Sequence, residues 1–351
     1  MRKYTSFRAA KGTISFLLDR KALMINVAFL LGLLLVFLIS AGMGEQFIQP
    51  WDVMNILFGH GTAFEQLIVH SFRMPRILIA ILVGMSLAVA GTILQAIVRN
   101  PLASPDIIGI TGGASVAVVL FLAVFSNESN ALTVSIHWMP LSAFIGATVV
   151  ALLLYMLAWK NGLSPIRLVL VGIGMWALTK ALTDLFMLLG PIYRASQANI
   201  WITGSVYGAN WNNVYILTPI TITLLVIAMV MIRNVNIQEL GEEIAIGVGT
   251  SIQRQRFSLL LLSTALIGSA VAFAGGIGFV GLMAPHISRR LVGSSFGALL
   301  PLSALIGAIL VLIADSIGRT FFLPIEVPAG VFTAAIGAPY FIYLLYKQRN
   351  A

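Results

Sequence analysis

Asn100–Gly113 (NPLASPDIIGITGG) and Gly275–Gly293 (GGIGFVGLMAPHISRRLVG) break, with glycine and proline, a chain whose other long stretches are soluble in lipid. Non-helical peptide groups cannot face hydrocarbon, because nothing there satisfies their N–H and C=O groups. Such backbone is tolerated at membrane depth only where protein or a water-filled cavity surrounds it. The two breaks therefore point to a translocation path, which a simple membrane anchor would not need.

The surrounding composition requires a membrane. The chain has 351 residues, 59% hydrophobic and only 9% charged, with a mean hydropathy of +0.98; soluble domains are about a quarter charged. The sequence predicts an all-α, polytopic protein with about ten spans: Leu23–Ala41, Ile77–Val98, Val116–Phe125, Leu141–Trp159, Leu168–Leu189, Val214–Ile232, Phe257–Ala274, Ile277–Val292, Leu299–Phe322 and Val331–Tyr346. Each approaches the ~20 residues a crossing needs. The third and eighth are the weakest, one short and the other carrying Pro285, His286 and two arginines.

An even number of spans puts both termini on one side, and Lys and Arg decide which. With cytoplasmic termini, 16 of the 21 Lys and Arg fall inside. Arg73, Arg76, Arg194 and Arg319 stay outside, and Lys180 lies within a span. The +9 net charge follows from this orientation and from contact with anionic lipid, so it gives no support to nucleic-acid binding. Residues 1–22 read as a retained basic cytoplasmic tail and 23–347 as one transmembrane permease domain. The chain has no cysteine, hence neither disulfides nor thiolate metal sites.

Between the spans, Gly44–Ser71 predicts an outer amphipathic helix and Pro191–Asn213 a short interfacial one. The longest cytoplasmic connection, Arg233–Arg256, spaces Leu240, Ile244 and Val248 four apart, with Glu239, Glu242 and Glu243 beside them. It predicts a short amphipathic helix outside the bilayer, within residues 234–252. The two broken stretches follow the second and seventh spans on opposite sides, as in an inverted repeat of spans two to five and seven to ten.

Enzyme motifs are missing or misplaced. Gly276-Ile-Gly278-Phe-Val-Gly281 spells GxGxxG, but no strand precedes it, so close helix packing is the better account. No GxxxxGK[ST] loop occurs, so ATP is not bound that way. The four histidines include no i, i+4 pair. No catalytic residue, cofactor site or metal site is expected. Lys180 and Asp184 stand one helical turn apart and neutralise each other, as do Asp315 and Arg319. Arg73, Arg76 and Arg319 lie outside against the positive-inside trend. Two accounts stand: anchors for lipid phosphate, or a ring of cations receiving carboxylates of an external protein.

Several long motifs together resemble the FecCD family, the permease subunits of binding-protein-dependent ABC importers for ferric siderophores, haem and cobalamin. They are RMPRILIAILVGMSLAVAGTILQ (Arg73–Gln95), RNPLASPDIIGITGGA (Arg99–Ala114), ELGEEIAIGVG (Glu239–Gly249), GGIGFVGLMAPHISRRLVG (Gly275–Gly293) and ADSIGRTFFLPIEVPAGVFTAAIGAPYFIYLL (Ala314–Leu345). The resemblance implies a type II ABC importer permease of ten helices. It pairs with a second permease chain, identical or paralogous, and works with two copies of an ABC ATPase subunit and an extracytoplasmic substrate-binding protein. By the same resemblance, Glu239, Leu240, Glu242, Glu243, Gly247 and Gly249 form the segment that couples to the ATPase. Arg73, Arg76 and Arg319 dock the binding protein. Ser164, Pro165 and Ile166, in the turn LSPIR, form the cytoplasmic gate; Pro165 and Ile166 replace small polar residues of some relatives. The implied cargo is a ferric siderophore, most like the hydroxamate type, with cobalamin and haem as alternatives in the family. A secondary carrier independent of ATP is the alternative from another class.

Overall fold

The computed structural model describes residues 4–9, 14–106, 108–126, 132–160, 162–190, 192–239, 242–247, 249 and 251–349. About four-fifths of them are helical, and the class is all-α. Inside the stretch read as a basic tail stands a small antiparallel hairpin, β1 (Tyr4–Ala9) with β2 (Ile14–Asp19). Alternating aromatic, hydroxyl and aliphatic residues suit a strand better than a helix. Asp19 closes it and caps α1 (Arg20–Gly42), accepting from the N–H groups of Lys21 at 2.9 Å and Ala22 at 3.4 Å.

After α1 come α2 (Pro50–Leu57), α3 (Ala63–Gln66), a wider π-helical stretch (Leu67–Arg73) and α4 (Met74–Val98), which is buried along most of its length. The outer amphipathic helix expected over 44–71 is thus two short helices and a π stretch that runs directly into the second span. Then follow α5 (Ile110–Val124), α6 (Met139–Ala158), α7 (Pro165–Leu189), α8 (Ile192–Thr203), a helix within the stretch where a short one is expected, and α9 (Trp211–Val230). The chain continues with α10 (Ile232–Glu239), α11 (Glu242–Gly247), α12 (Ile252–Ala274), α13 (Val280–Val292), α14 (Phe296–Thr320) and α15 (Ala329–Arg349).

Eight of the described helical stretches are long and apolar enough to cross a membrane unaided. The third and eighth predicted spans are the exceptions. α5 has 15 residues and α13 has 13, about 22 and 20 Å at 1.5 Å per residue, against a hydrocarbon core of about 30 Å. The broken stretch ahead of each helix supplies the missing length.

The packing has the pattern of an inverted repeat. α4 lies on α14 as α12 lies on α6; α5 contacts α6 as α13 contacts α14; α6 contacts α7 as α14 contacts α15; and α4 and α12 meet at the centre. Small residues let these backbones touch. A Cβ on Gly84 would stand 2.3 Å from the Gly307 carbonyl oxygen where α4 crosses α14, so any larger residue forces that crossing apart.

Candidate translocation site

The two ends of the bundle can be told apart by α4, whose first turn carries Arg76, and α12, which begins near Arg256; they are termed the Arg76 end and the Arg256 end. Between them the two broken stretches meet. Gly109, left-handed at φ 80°, precedes α5 and packs against the backbone of Met175 and Trp176. That point lies ten to eleven residues along α7, about 15 Å from the Arg256 end. From the other side, Gly281 enters at the level of Leu87 and Gly91. A Cβ on Gly91 would sit 1.9 Å from the Gly281 carbonyl oxygen, and one on Gly281 would sit 2.8 Å from Pro105 Cδ. Gly281, the last glycine of the GxGxxG stretch, therefore serves close packing, as expected.

The junction is pinned by one carboxylate. Asp106 Oδ2 accepts from the N–H of Phe279 at 3.2 Å, and Phe279 sits in the left-handed region (φ 65°) just before α13. Asp106 thus serves an unpaired donor at the start of α13 from the other broken stretch, where the helix dipole favours an anion. A third strand of backbone closes the assembly: past α8, Ser205 N–H donates to Ala274 O at 2.8 Å and Gly330 N–H donates to Gly204 O at 2.9 Å.

At the Arg76 end, the three arginines singled out by charge all have internal partners. Arg73, 6% exposed, donates to Ala41 O at 2.7 Å, to Gly42 O at 3.1 Å and to Gln46 O. Arg319, 7% exposed, donates to Met43 O at 3.0 Å, to Ser40 O, and to Ser40 Oγ at 2.9 Å. Both cap the final turn of α1, where carbonyls lack helical donors and the dipole favours cations. Neither account drawn from the sequence included this role. Arg76 differs: it grips Asp315 of α14 at 2.8–3.0 Å and Glu326, in the turn between α14 and α15, at 2.8 Å, with the Tyr207 ring 5.8 Å away.

At the Arg256 end, the turn before α7 is also held by a spanning helix. Leu163 N–H donates to Gln253 Oε1 at 2.7 Å, and Arg256 Nη1 donates to Leu163 O at 2.9 Å, both from α12. Ser164 stands at the N-cap of α7 without a side-chain cap, Pro165 begins the helix, and Ile166 is 75% exposed. Of the expected coupling segment, Leu240 and the side chains of Glu239, Glu242 and Glu243 lie outside the described residues. The described part forms α10 and α11 where one helix was expected. Gly247 and Gly249 are exposed, and Gly249 takes φ 80°. Asn236 of α10 accepts from Phe296 N–H at 3.0 Å, satisfying a donor at the start of α14.

Residues 32–347 match the model of the FecCD transport family. The chain belongs to that family. A FecCD relative, "Probable siderophore transport system permease protein YfhA" of Bacillus subtilis (strain 168), is 65% identical over 316 residues, covering 90% of this chain and 92% of its own. Another from the same organism, "Iron(3+)-hydroxamate import system permease protein FhuG", is 44% identical over 330 residues, covering 94% and 98%. Among solved structures, "An inward-facing conformation of a putative metal-chelate type ABC transporter" superposes with a TM-score of 0.82 at 30% identity, over 92% of this chain and 99% of that one.

Members of the FecCD family are permease subunits of ABC transporters, so this chain is a multi-pass membrane permease and not an enzyme. Reading the FecCD motifs from sequence missed Asp106, Asn236, Gln253, Arg256 and Glu326. In the sequence Arg256 is one more inside charge; its place at the head of the seventh span, matching Arg76 at the head of the second, is the available signal.

Proposed function

We propose that the chain is one half of the membrane path of an ATP-driven importer for ferric chelates, favouring the hydroxamate type. The observation that carries this reading is the meeting of two non-helical stretches at mid-depth around Asp106 and Phe279. Such backbone suits a path whose walls rearrange, and its relatives, a siderophore permease and an iron(3+)-hydroxamate permease, supply iron chelates as cargo. In this reading the Arg76 end faces outward and receives the binding protein, and both termini lie in the cytoplasm. Of the three arginines, Arg76 can exchange Glu326, which is 34% exposed, for a partner's carboxylate, while Arg73 and Arg319 fix the ground beneath it. The 239–249 segment docks in the ATPase, and the Ser164–Ile166 turn closes the inner end. Hydrolysis occurs in the ATPase; nucleotide states favour outward or inward forms to different degrees.

Reconstitution with the cognate ATPase, binding protein and second permease chain tests this. Radioactive iron presented as a trihydroxamate should enter proteoliposomes only with ATP, and faster than iron presented as citrate or a tricatecholate. Uptake persisting without ATP would make the chain part of a secondary carrier; a preference for citrate or the tricatecholate would overturn the hydroxamate assignment. Orientation is separately open to measurement, because the chain has no cysteine of its own. His137→Cys should react with an impermeant maleimide in intact cells, and Ser294→Cys only after permeabilisation.

A further inference from the structure

Buried hydroxyls of the central helices find acceptors one turn back on their own helix. Thr92 Oγ1 donates to Ala88 O at 2.8 Å, Ser288 Oγ to Ala284 O at 2.7 Å and Ser303 Oγ to Leu299 O at 2.8 Å. Gln95 of α4 is different. It is 2% exposed, and among the described residues neither its Oε1 nor its Nε2 has a hydrogen-bond partner. An unpaired buried amide is destabilising, and a leucine in its place would avoid that cost.

The position of Gln95 shows where its amide is aimed. At about 100° per residue, Gly84, Ala88, Gly91 and Gln95 fall within about 60° of one another around α4. Gly84 and Ala88 lie against Gly307 of α14, and Gly91 lies against the carbonyl oxygen of Gly281 on α13. Gln95 stands one turn further, about 6 Å along the helix. Helical side chains lean toward the N-terminus of their own helix, so this amide is directed back over Gly91 and toward that carbonyl. On α13, residue 285 is proline. Proline has no N–H, so the Gly281 carbonyl, four residues earlier, lacks the donor an unbroken helix would supply. An unpaired amide and a carbonyl without its helical donor thus flank the crossing of α4 and α13, just where the second broken stretch turns into helix.

We propose that Gln95 is the positioning residue of a latch between α4 and α13: its amide, open in the present form of the molecule, donates to the Gly281 carbonyl in the other form of the transport cycle. This rests on the permease reading above, in which nucleotide states favour two forms to different degrees. The unpaired amide raises the energy of the present form and the new hydrogen bond lowers that of the other, so one side chain shifts the balance toward the latched form.

Melting of the assembled complex in two states, nucleotide-free and vanadate-trapped, tests this. Gln95→Leu should raise the midpoint of one state and lower that of the other, by a few degrees each, and should cut ATP-driven ferric-chelate uptake several-fold. A fall in both states would mean that the amide already has a partner in the present form, such as a buried water, and a rise in both that it is never used; either overturns the latch, as does unchanged uptake. Gln95→Met, unbranched and of similar length, repeats the test should leucine fit poorly, and failure of both variants to assemble would count as a fall in both states. The partner is tested through Pro285→Ala, which gives the Gly281 carbonyl a helical donor of its own. In that background the loss caused by Gln95→Leu should shrink at least about twofold; an undiminished loss would place the partner elsewhere and overturn the latch. No ATP-driven uptake by the wild-type complex would instead sink the importer reading, and with it the second form that the latch requires.

Discussion

The Arg76 end and the Arg256 end solve one problem with different chemistry. In each, an arginine in the first turns of a long central helix reaches across to hold the connection between two spans of the other repeat. Arg76 of α4 holds the α14–α15 turn, and Arg256 of α12 holds the α6–α7 turn. The first does so through carboxylates, Asp315 and Glu326. The second does so through backbone, with Arg256 on the Leu163 carbonyl and Gln253 on the Leu163 N–H. An ionic clasp responds to salt and to charges brought by a partner. A backbone clasp is indifferent to which side chains the turn carries, and so accommodates Pro165 and Ile166 there.

The largest effect should come from breaking the ionic clasp. Arg76→Ala leaves Asp315 buried with only the 3.6 Å contact to Arg319, and losing one partner of a buried ion pair costs about 3–5 kcal/mol. Detergent-solubilised yield and melting temperature should fall sharply, and Arg76→Gln combined with Asp315→Asn should recover part of the loss. A charge-independent clasp would show no such recovery. Arg256→Ala should cost less, about 1.5–3 kcal/mol for a charged hydrogen bond to a carbonyl, because Gln253 still holds the turn. Its signature should be ATP-independent leakage of cargo in proteoliposomes.

The junction between the ends hangs on one hydrogen bond across the two breaks. Asp106→Ala removes the acceptor of the Phe279 N–H and should cost about 1–3 kcal/mol, read as a lower melting temperature, while Asp106→Asn, whose amide oxygen still accepts, should recover most of it; equal losses in both variants would remove this hydrogen bond from the account. The smallest effect belongs to the turn before α7. Ile166→Ser changes a 75% exposed side chain that the clasp does not touch. It should alter stability by no more than about 0.5 kcal/mol, whereas Gln253→Ala, which strips the Leu163 N–H, should cost about 1–3 kcal/mol.

The spans and the breaks were legible because both are written in local composition: a 20-residue apolar run or an NPLASP stretch carries its meaning within itself. Partners across the bundle were not. Asp315 looked satisfied by Arg319 one turn away, yet its 2.8 Å partner is Arg76, 239 positions distant. Arg73 and Arg319 looked unexplained because the carbonyls they cap, at the end of α1, have no side-chain signature at all. The short lengths of α5 and α13 were hinted at by a brief apolar run in one and Pro285 in the other. The hairpin before α1 was hidden by a basic charge count that ignored the alternation in Tyr4–Ala9.

Asn236 sits at the first residue of α14, and Asp315 lies nineteen residues further along the same helix. That makes α14 a lever about 28 Å long between a pin and a clasp. A tilt of about 5° at the pinned end sweeps the far end through roughly 2 Å, comparable to the length of the contact it carries. Between its two fastenings α14 also meets α4 backbone to backbone at Gly84 and Gly307, so any such tilt must carry α4, and the Arg76 clasp at its head, along with it.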